Sequence, residues 1–93
     1  MKYTYVLQEA EKKIVVNFEN EVIGIIAWKD EGGNVINAYS TYVDPAHRGG
    51  KIALTLVEKL VNFAKENGLK IKPTCSYVVR LFEREEKYQE VQV

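Results

Sequence analysis

Thr41-Tyr42-Val43-Asp44-Pro45-Ala46-His47-Arg48-Gly49-Gly50-Lys51-Ile52-Ala53 is the stretch where the chain changes character. Strand signals dominate before it, and helical periodicity follows it. A residue before proline is pushed out of helical geometry, so Asp44-Pro45 ends a strand. Ala53, Leu56, Val57, Leu60, Val61 and Ala64 then recur at three- and four-residue intervals. That spacing predicts a helix beginning near Gly50 with one buried stripe. Between strand and helix lies a basic turn containing two glycines. The first N–H groups of a helix lack intrahelical acceptors, and the helix dipole adds positive potential there. Glycine lets the backbone approach an anion closely, and Arg48 can grip phosphate oxygens with its planar fork. This is the local chemistry of a diphosphate site. A solvated turn that merely starts a helix is the alternative on these residues alone.

Working outward, Tyr3 to Leu7, Ile14 to Phe18, Val22 to Trp28 and Val35 to Val43 read as strands. Glu19-Asn20-Glu21 and Gly33-Asn34 are turn signals between them, and short turns favour an antiparallel meander. After the helix, Gly68 supplies a stop and Leu69 the hydrophobic contact that accompanies one. Lys70 to Pro73 is a short strand with proline at its end or edge. Ser76 is a good N-cap for a second helix reaching Glu85 or Glu86. Tyr88 to Val93 reads as a last short strand.

The chain has 93 residues, which reads as one domain over residues 1–93. A domain this small buries only about 60–65% of its unfolded surface, so its stability margin is narrow. Thirteen basic residues balance thirteen acidic ones, and that neutrality argues against nucleic acid as principal partner. No apolar run approaches the roughly 20 residues of a membrane span. One cysteine, Cys75, cannot form an intramolecular disulfide. The chain therefore reads as cytoplasmic, without membrane or nucleic-acid partners, and as a monomer or weak homodimer. One cysteine and one histidine do not make a closed metal-ligand set.

Competing phosphate motifs fail. A Walker A loop needs glycine at position 45 and Ser or Thr at 52, where Pro45 and Ile52 stand. The dinucleotide fingerprint is absent too. Arg48-Gly49-Gly50-Lys51-Ile52-Ala53 instead resembles the acetyl-coenzyme A signature of the GNAT N-acetyltransferase superfamily. That signature is Gln or Arg, two variable residues, Gly, one variable residue, then Gly or Ala. Arg48 and Ala53 match its ends, while Lys51 stands where its internal glycine belongs. The chain more closely resembles the short, single-domain GNAT-like family. There the loop and helix are followed by a Pro-x-Cys-Ser-Tyr segment, here Pro73-Thr74-Cys75-Ser76-Tyr77. The resemblance is strongest from Thr41 to Tyr88, whose tyrosine matches the family's closing one.

This resemblance implies a minimal GNAT-like α+β fold. Its mainly antiparallel mixed sheet would carry a cofactor-binding helix and a second C-terminal helix. Two neighbouring strands would splay apart to admit the pantetheine arm beside Thr41, Tyr42 and Val43. The diphosphate would lie on Arg48, Gly49, Gly50, Lys51, Ile52 and Ala53, where Lys51 either adds attraction by its charge or lowers affinity by its Cβ. Gly50 is expected to relieve the turn. The implied activity is acetyl transfer from acetyl-coenzyme A to an unidentified acceptor, an amine by resemblance. A non-catalytic acyl-coenzyme A-binding or sensing module is the alternative.

Cys75 lies between a predicted strand and a predicted helix start, where a thiolate is stabilised. A nucleophilic thiol beside a bound thioester makes it the candidate catalytic residue, and the resembling family carries a cysteine there. A small buried hydrophobe is its plainer role. His47 reads as a general base near neutral pH or, more plainly, as an exposed loop residue or a secondary phosphate contact. Arg80 and Arg84 either help hold the cofactor or, more simply, form a solvated helix face paired with Glu83, Glu85 and Glu86.

Overall fold

A computed structural model describes residues 2–93. Five strands form one sheet in chain order: β1 (Thr4–Gln8), β2 (Lys13–Phe18), β3 (Glu21–Gly32), β4 (Val35–Val43) and β5 (Lys70–Pro73). The first four pair antiparallel, and β5 runs parallel to β4. Two helices, α1 (Ile52–Glu66) and α2 (Ser76–Arg84), complete an α+β fold with a mixed sheet.

Local turn chemistry sets the meander. Glu19 and Asn20 alone connect β2 to β3, with φ of 49° and 66°. Two positive φ values give the turn whose twist matches that of the flanking strands. At Gly24 there is no room for a side chain. A Cβ there would lie 2.8 Å from Val16 Cγ1 and 3.1 Å from the Tyr42 carbonyl oxygen. Glycine thus lets β3 and β4 meet where the site begins.

Ile14, Val16, Ile26, Trp28, Ile36 and Ala38 face one core, which α1 covers with Leu56, Val57, Leu60, Phe63 and Ala64. Each such large side chain contributes about 1.5–3 kcal/mol on burial. The buried stripe is the one that the spacing predicts, with Ile52 and Phe63 added and Ala53 partly buried. Val78, Leu81 and Phe82 of α2 join the same core. Glu58 of α1 meets Lys87 at 3.4 Å and the Tyr88 hydroxyl at 3.5 Å, just beyond α2. Both helices therefore lie on one face. The other face carries the exposed Lys29, Tyr39, Tyr42 and Lys72.

Three expectations are corrected. Tyr88 to Val93 is not a strand: Glu86–Glu90 coil into a 3₁₀ turn, and only Gln92 bridges to Ile71. Tyr88 and Val91 are both buried, and Tyr88 stacks on Phe82 at 5.0 Å. Residues three apart point to opposite faces of a strand, so burying both requires a coil. Helix α1 begins at Ile52 rather than Gly50, because Gly49 (φ 96°) turns the chain and Lys51 takes the cap position. Helix α2 begins at Ser76, so its cap is Cys75.

Candidate active site and cofactor cleft

Pairing between β4 and β5 runs only from Val35↔Lys70 to Ala38↔Pro73. Proline cannot continue the ladder as a donor. Beyond it, the N–H groups of Thr74 and Cys75 both donate to the Ala38 carbonyl, at 3.2 and 3.1 Å. The chain then turns into α2. Meanwhile β4 continues to Val43, held by β3 alone. Ala27 pairs with Ser40 and Trp28 with Ala38, so Tyr39 is an extra residue bulged out just past the last β5 pair. From Tyr39 to Val43 that edge of β4 is therefore without a strand partner.

A cavity of about 330 Å³ lies between the β4 end, the start of α1 and Tyr77 of α2. Of the loop and strand residues singled out from sequence, Thr41, Tyr42, Val43, Arg48, Gly49, Gly50, Ile52 and Ala53 line it. Lys51 does not. It lines a groove on the β1 side of the loop instead. Cys75 is not in the cavity wall either, but its Sγ lies 3.4 Å from the hydroxyl of Thr41, which is.

The loop is built to stay open. Asp44 turns its carboxylate back to accept from the Ala46 N–H at 2.9 Å, which shapes the short 3₁₀ turn Pro45–His47. Arg48 donates from Nε to the Val43 carbonyl at 2.7 Å, and its guanidinium lies 5.5 Å over the Tyr42 ring. It therefore clamps the loop onto β4 with part of its fork. Gly49, not Gly50, holds the left-handed conformation. A Cβ added at Gly50 would meet open space, so the relief expected of Gly50 belongs to its neighbour. Lys51 sits at φ −106°, so its backbone does not require the glycine of the signature.

Helix α1 has no side-chain cap and no acidic residue in its first turn; its first cap bond is Thr55 N–H to the Lys51 carbonyl at 2.9 Å. The N–H groups of Ile52, Ala53 and Leu54 have no acceptor within the helix. An anion at such an end gains about 0.3–1 kcal/mol from the dipole alone, before any hydrogen bond. The residues present therefore fit a diphosphate.

At the second junction, burial pushes the Cys75 thiol up, but the hydrogen bond with the Thr41 hydroxyl and backbone groups of Val78, Tyr77 and Thr41 outweigh it. The net shift is downward. The neutral thiol forms no capping bond to the first turn, yet the amides of that turn still favour the thiolate. Tyr77 is shifted the other way. Burial raises its phenol, Glu58 adds to the rise, and Arg84 partly offsets it.

Sequence reasoning gave Tyr77 no role and offered His47 only as a general base, a loop residue or a phosphate contact. Tyr77 lines the cavity, and its signal was its place two residues after Cys75 in the quoted segment. His47 also lines it, with Nδ1 held 3.1 Å from the Tyr3 hydroxyl and its ring 4.9 Å from Phe18. It is half-buried, not simply an exposed loop residue.

The family of GCN5-related N-acetyl-transferases matches residues 5–91, which include both junctions. The chain belongs to that family. Among solved structures it is similar to a GCN5-like protein of Staphylococcus aureus, at 28% identity and a TM-score of 0.79. That match covers 97% of this chain and 87% of the other. It is also similar to the PaiA N-acetyltransferase of Thermoplasma acidophilum, solved with coenzyme A (21% identity, TM-score 0.60, 66% and 38% of the two chains). A GNAT acetyltransferase of Elizabethkingia anophelis, solved with acetyl-coenzyme A, matches at 14% identity and a TM-score of 0.65 over 77% and 50%. The last two likenesses concern the fold. No curated protein matches. Among the described residues, no helix is long and apolar enough to cross a membrane.

Proposed function

We propose that this family member is an acetyltransferase using acetyl-coenzyme A as donor and an amine as acceptor, with Cys75 as an acyl relay. The reading is supported by one juxtaposition: a thiol shifted below the ordinary cysteine value touches Thr41 on the open edge of β4, beside a basic loop suited to a diphosphate. Relatives of the same fold have been solved with coenzyme A or acetyl-coenzyme A bound. In this reading the amides of Gly49 to Ala53 and the free part of the Arg48 fork hold the diphosphate. The open edge of β4 from Tyr39 to Val43 pairs with the pantetheine arm, as a peptide strand pairs with a sheet edge.

The Cys75 thiolate then attacks the thioester carbonyl carbon. A new carbon–sulfur bond forms to Cys75, and the bond to the coenzyme A sulfur breaks. The departing thiolate takes a proton from Tyr77, whose raised phenol holds one at neutral pH. Tyr77 recovers a proton from solvent. The neutral acceptor amine next attacks the acetylcysteine carbonyl, forming carbon–nitrogen and breaking carbon–sulfur, and its surplus proton leaves to water. The uncovered sheet face, with Tyr39 about half exposed, leaves room for the acceptor. That same openness favours the second reading, a binding module whose acceptor side another molecule completes.

Intact-mass measurement after incubation with acetyl-coenzyme A tests the relay. One acetyl group is expected on the wild type and none on Cys75→Ser. Because the thiol is shifted down, its acetylation rate should level off at a pH lower than that of an ordinary cysteine. Full turnover by Cys75→Ser would instead mean direct attack of the acceptor on the donor. Binding without any turnover would favour the module.

A further inference from the structure

The groove on the β1 side of the loop has no part in that mechanism. It measures about 350 Å³ and lies between Tyr3, Tyr5 and the start of α1, with His47, Arg48 and Lys51 around it. No carboxylate lines it. Lys51, Thr55 and Lys59 follow at four-residue intervals, so they form one stripe along α1. Thr55 lines the groove too, but its hydroxyl is committed to the Lys51 carbonyl at 2.7 Å. The Lys59 ammonium lies 5.6 Å over the Tyr5 ring, in the adjoining groove that shares Tyr5 and also carries Glu66. Neither Lys51 nor Lys59 joins any ion pair among the described residues.

Two features give this groove a ligand chemistry. The first is an electrostatic misfit: Lys51 occupies the cap of α1, where the helix dipole is positive and no acidic residue of the first turn offsets it. Local rules are broken in this way where a ligand supplies the compensation, here an anion. The second is the company the cations keep. Two tyrosine rings stand beside them, and cations with aromatic faces are the pairing that holds a nucleotide, phosphate on one and base on the other. Helix α2 offers less, since its Arg84 already reaches Glu85 at 3.6 Å.

We infer that this groove binds the 3′-phosphate of coenzyme A, with Lys51 and Lys59 as its cations and the Tyr3–Tyr5 wall beside the adenosine. The inference rests on the loop being a coenzyme A site. It gives Lys51 a reason to replace the signature glycine: the backbone there tolerates a side chain, and the side chain reaches a phosphate that the loop amides do not. His47, tied to the Tyr3 hydroxyl, keeps the wall against the loop.

The test is calorimetric titration with coenzyme A and with 3′-dephospho-coenzyme A, each against the full chain. Wild type is expected to bind the dephospho form about tenfold more weakly, the loss of one charged hydrogen-bonding contact. Lys51→Gln and Lys59→Gln should each shrink that ratio, and the two together should bring it near one. Circular dichroism melting checks that these variants fold, and both positions are exposed. Equal wild-type affinity for the two compounds overturns the subsite but leaves the coenzyme A reading standing. A ratio that survives the double variant and vanishes in Arg80→Gln with Arg84→Gln places the phosphate on α2 and also overturns it. Binding of neither compound overturns the parent reading, and the subsite with it.

Discussion

The chain passes from strand to helix twice over the same core, and the two passages differ. From β4 to α1 the connection runs from Asp44 to Lys51, carries Arg48 and a left-handed Gly49, and leaves the helix without a side-chain cap. From β5 to α2 it is only Thr74 and Cys75. Both helix starts present N–H groups and a positive dipole end. The long loop holds its own polar groups aside, Asp44 on Ala46 and Arg48 on Val43, so the amides face outward for a ligand. The short link puts a side chain of the protein at the helix start, so the same field acts on a thiol. One physical device thus serves binding at one junction and reactivity at the other.

That division can be broken by exchanging losses. Cys75→Ser should lower turnover by about a hundredfold or more, the scale of removing a nucleophile, while calorimetric affinity for coenzyme A stays within threefold. Arg48→Ala should do the converse, weakening coenzyme A binding by roughly 1.5–3 kcal/mol while the Cys75 thiol keeps its alkylation rate in the free protein. If either variant lost both properties equally with its fold intact, the junctions would be one unit and the comparison would fail.

A smaller effect sharpens the picture within the loop. Gly49→Ala forces a Cβ into φ 96° and should cost roughly 1–2 kcal/mol of stability, read from thermal melting. Gly50→Ala meets open space and should change stability by no more than about 0.5 kcal/mol. Equal costs at both positions would mean that the left-handed turn is shared rather than fixed at Gly49.

Much of this architecture is legible in the sequence, because its causes are local. The two-residue turn at Glu19-Asn20, the break at Asp44-Pro45 and the stripe from Leu56 to Ala64 each follow from neighbours a few residues apart. The parallel placement of β5 beside β4 does not; the family resemblance implied a mixed sheet without saying which strands pair. Nor could spacing say which of two adjacent glycines takes positive φ, since that depends on how the loop meets the helix. The Tyr3–His47 contact spans 44 positions and the Cys75–Thr41 contact 34, so neither leaves a local trace. The tail from Tyr88 to Val93 misleads for a related reason. Its β-rich composition is overridden by the need to bury Tyr88 and Val91 on the same side.

The central claim is that the β4–α1 junction is where coenzyme A binds. Backbone amide shifts during a titration of the labelled protein with coenzyme A test it most directly. The account predicts saturable changes largest at Gly49 to Ala53, with smaller ones at Thr41 to Val43 and at Tyr77. Largest changes on the uncovered face, around Lys29 and Lys72, or no saturable change at all, would contradict it.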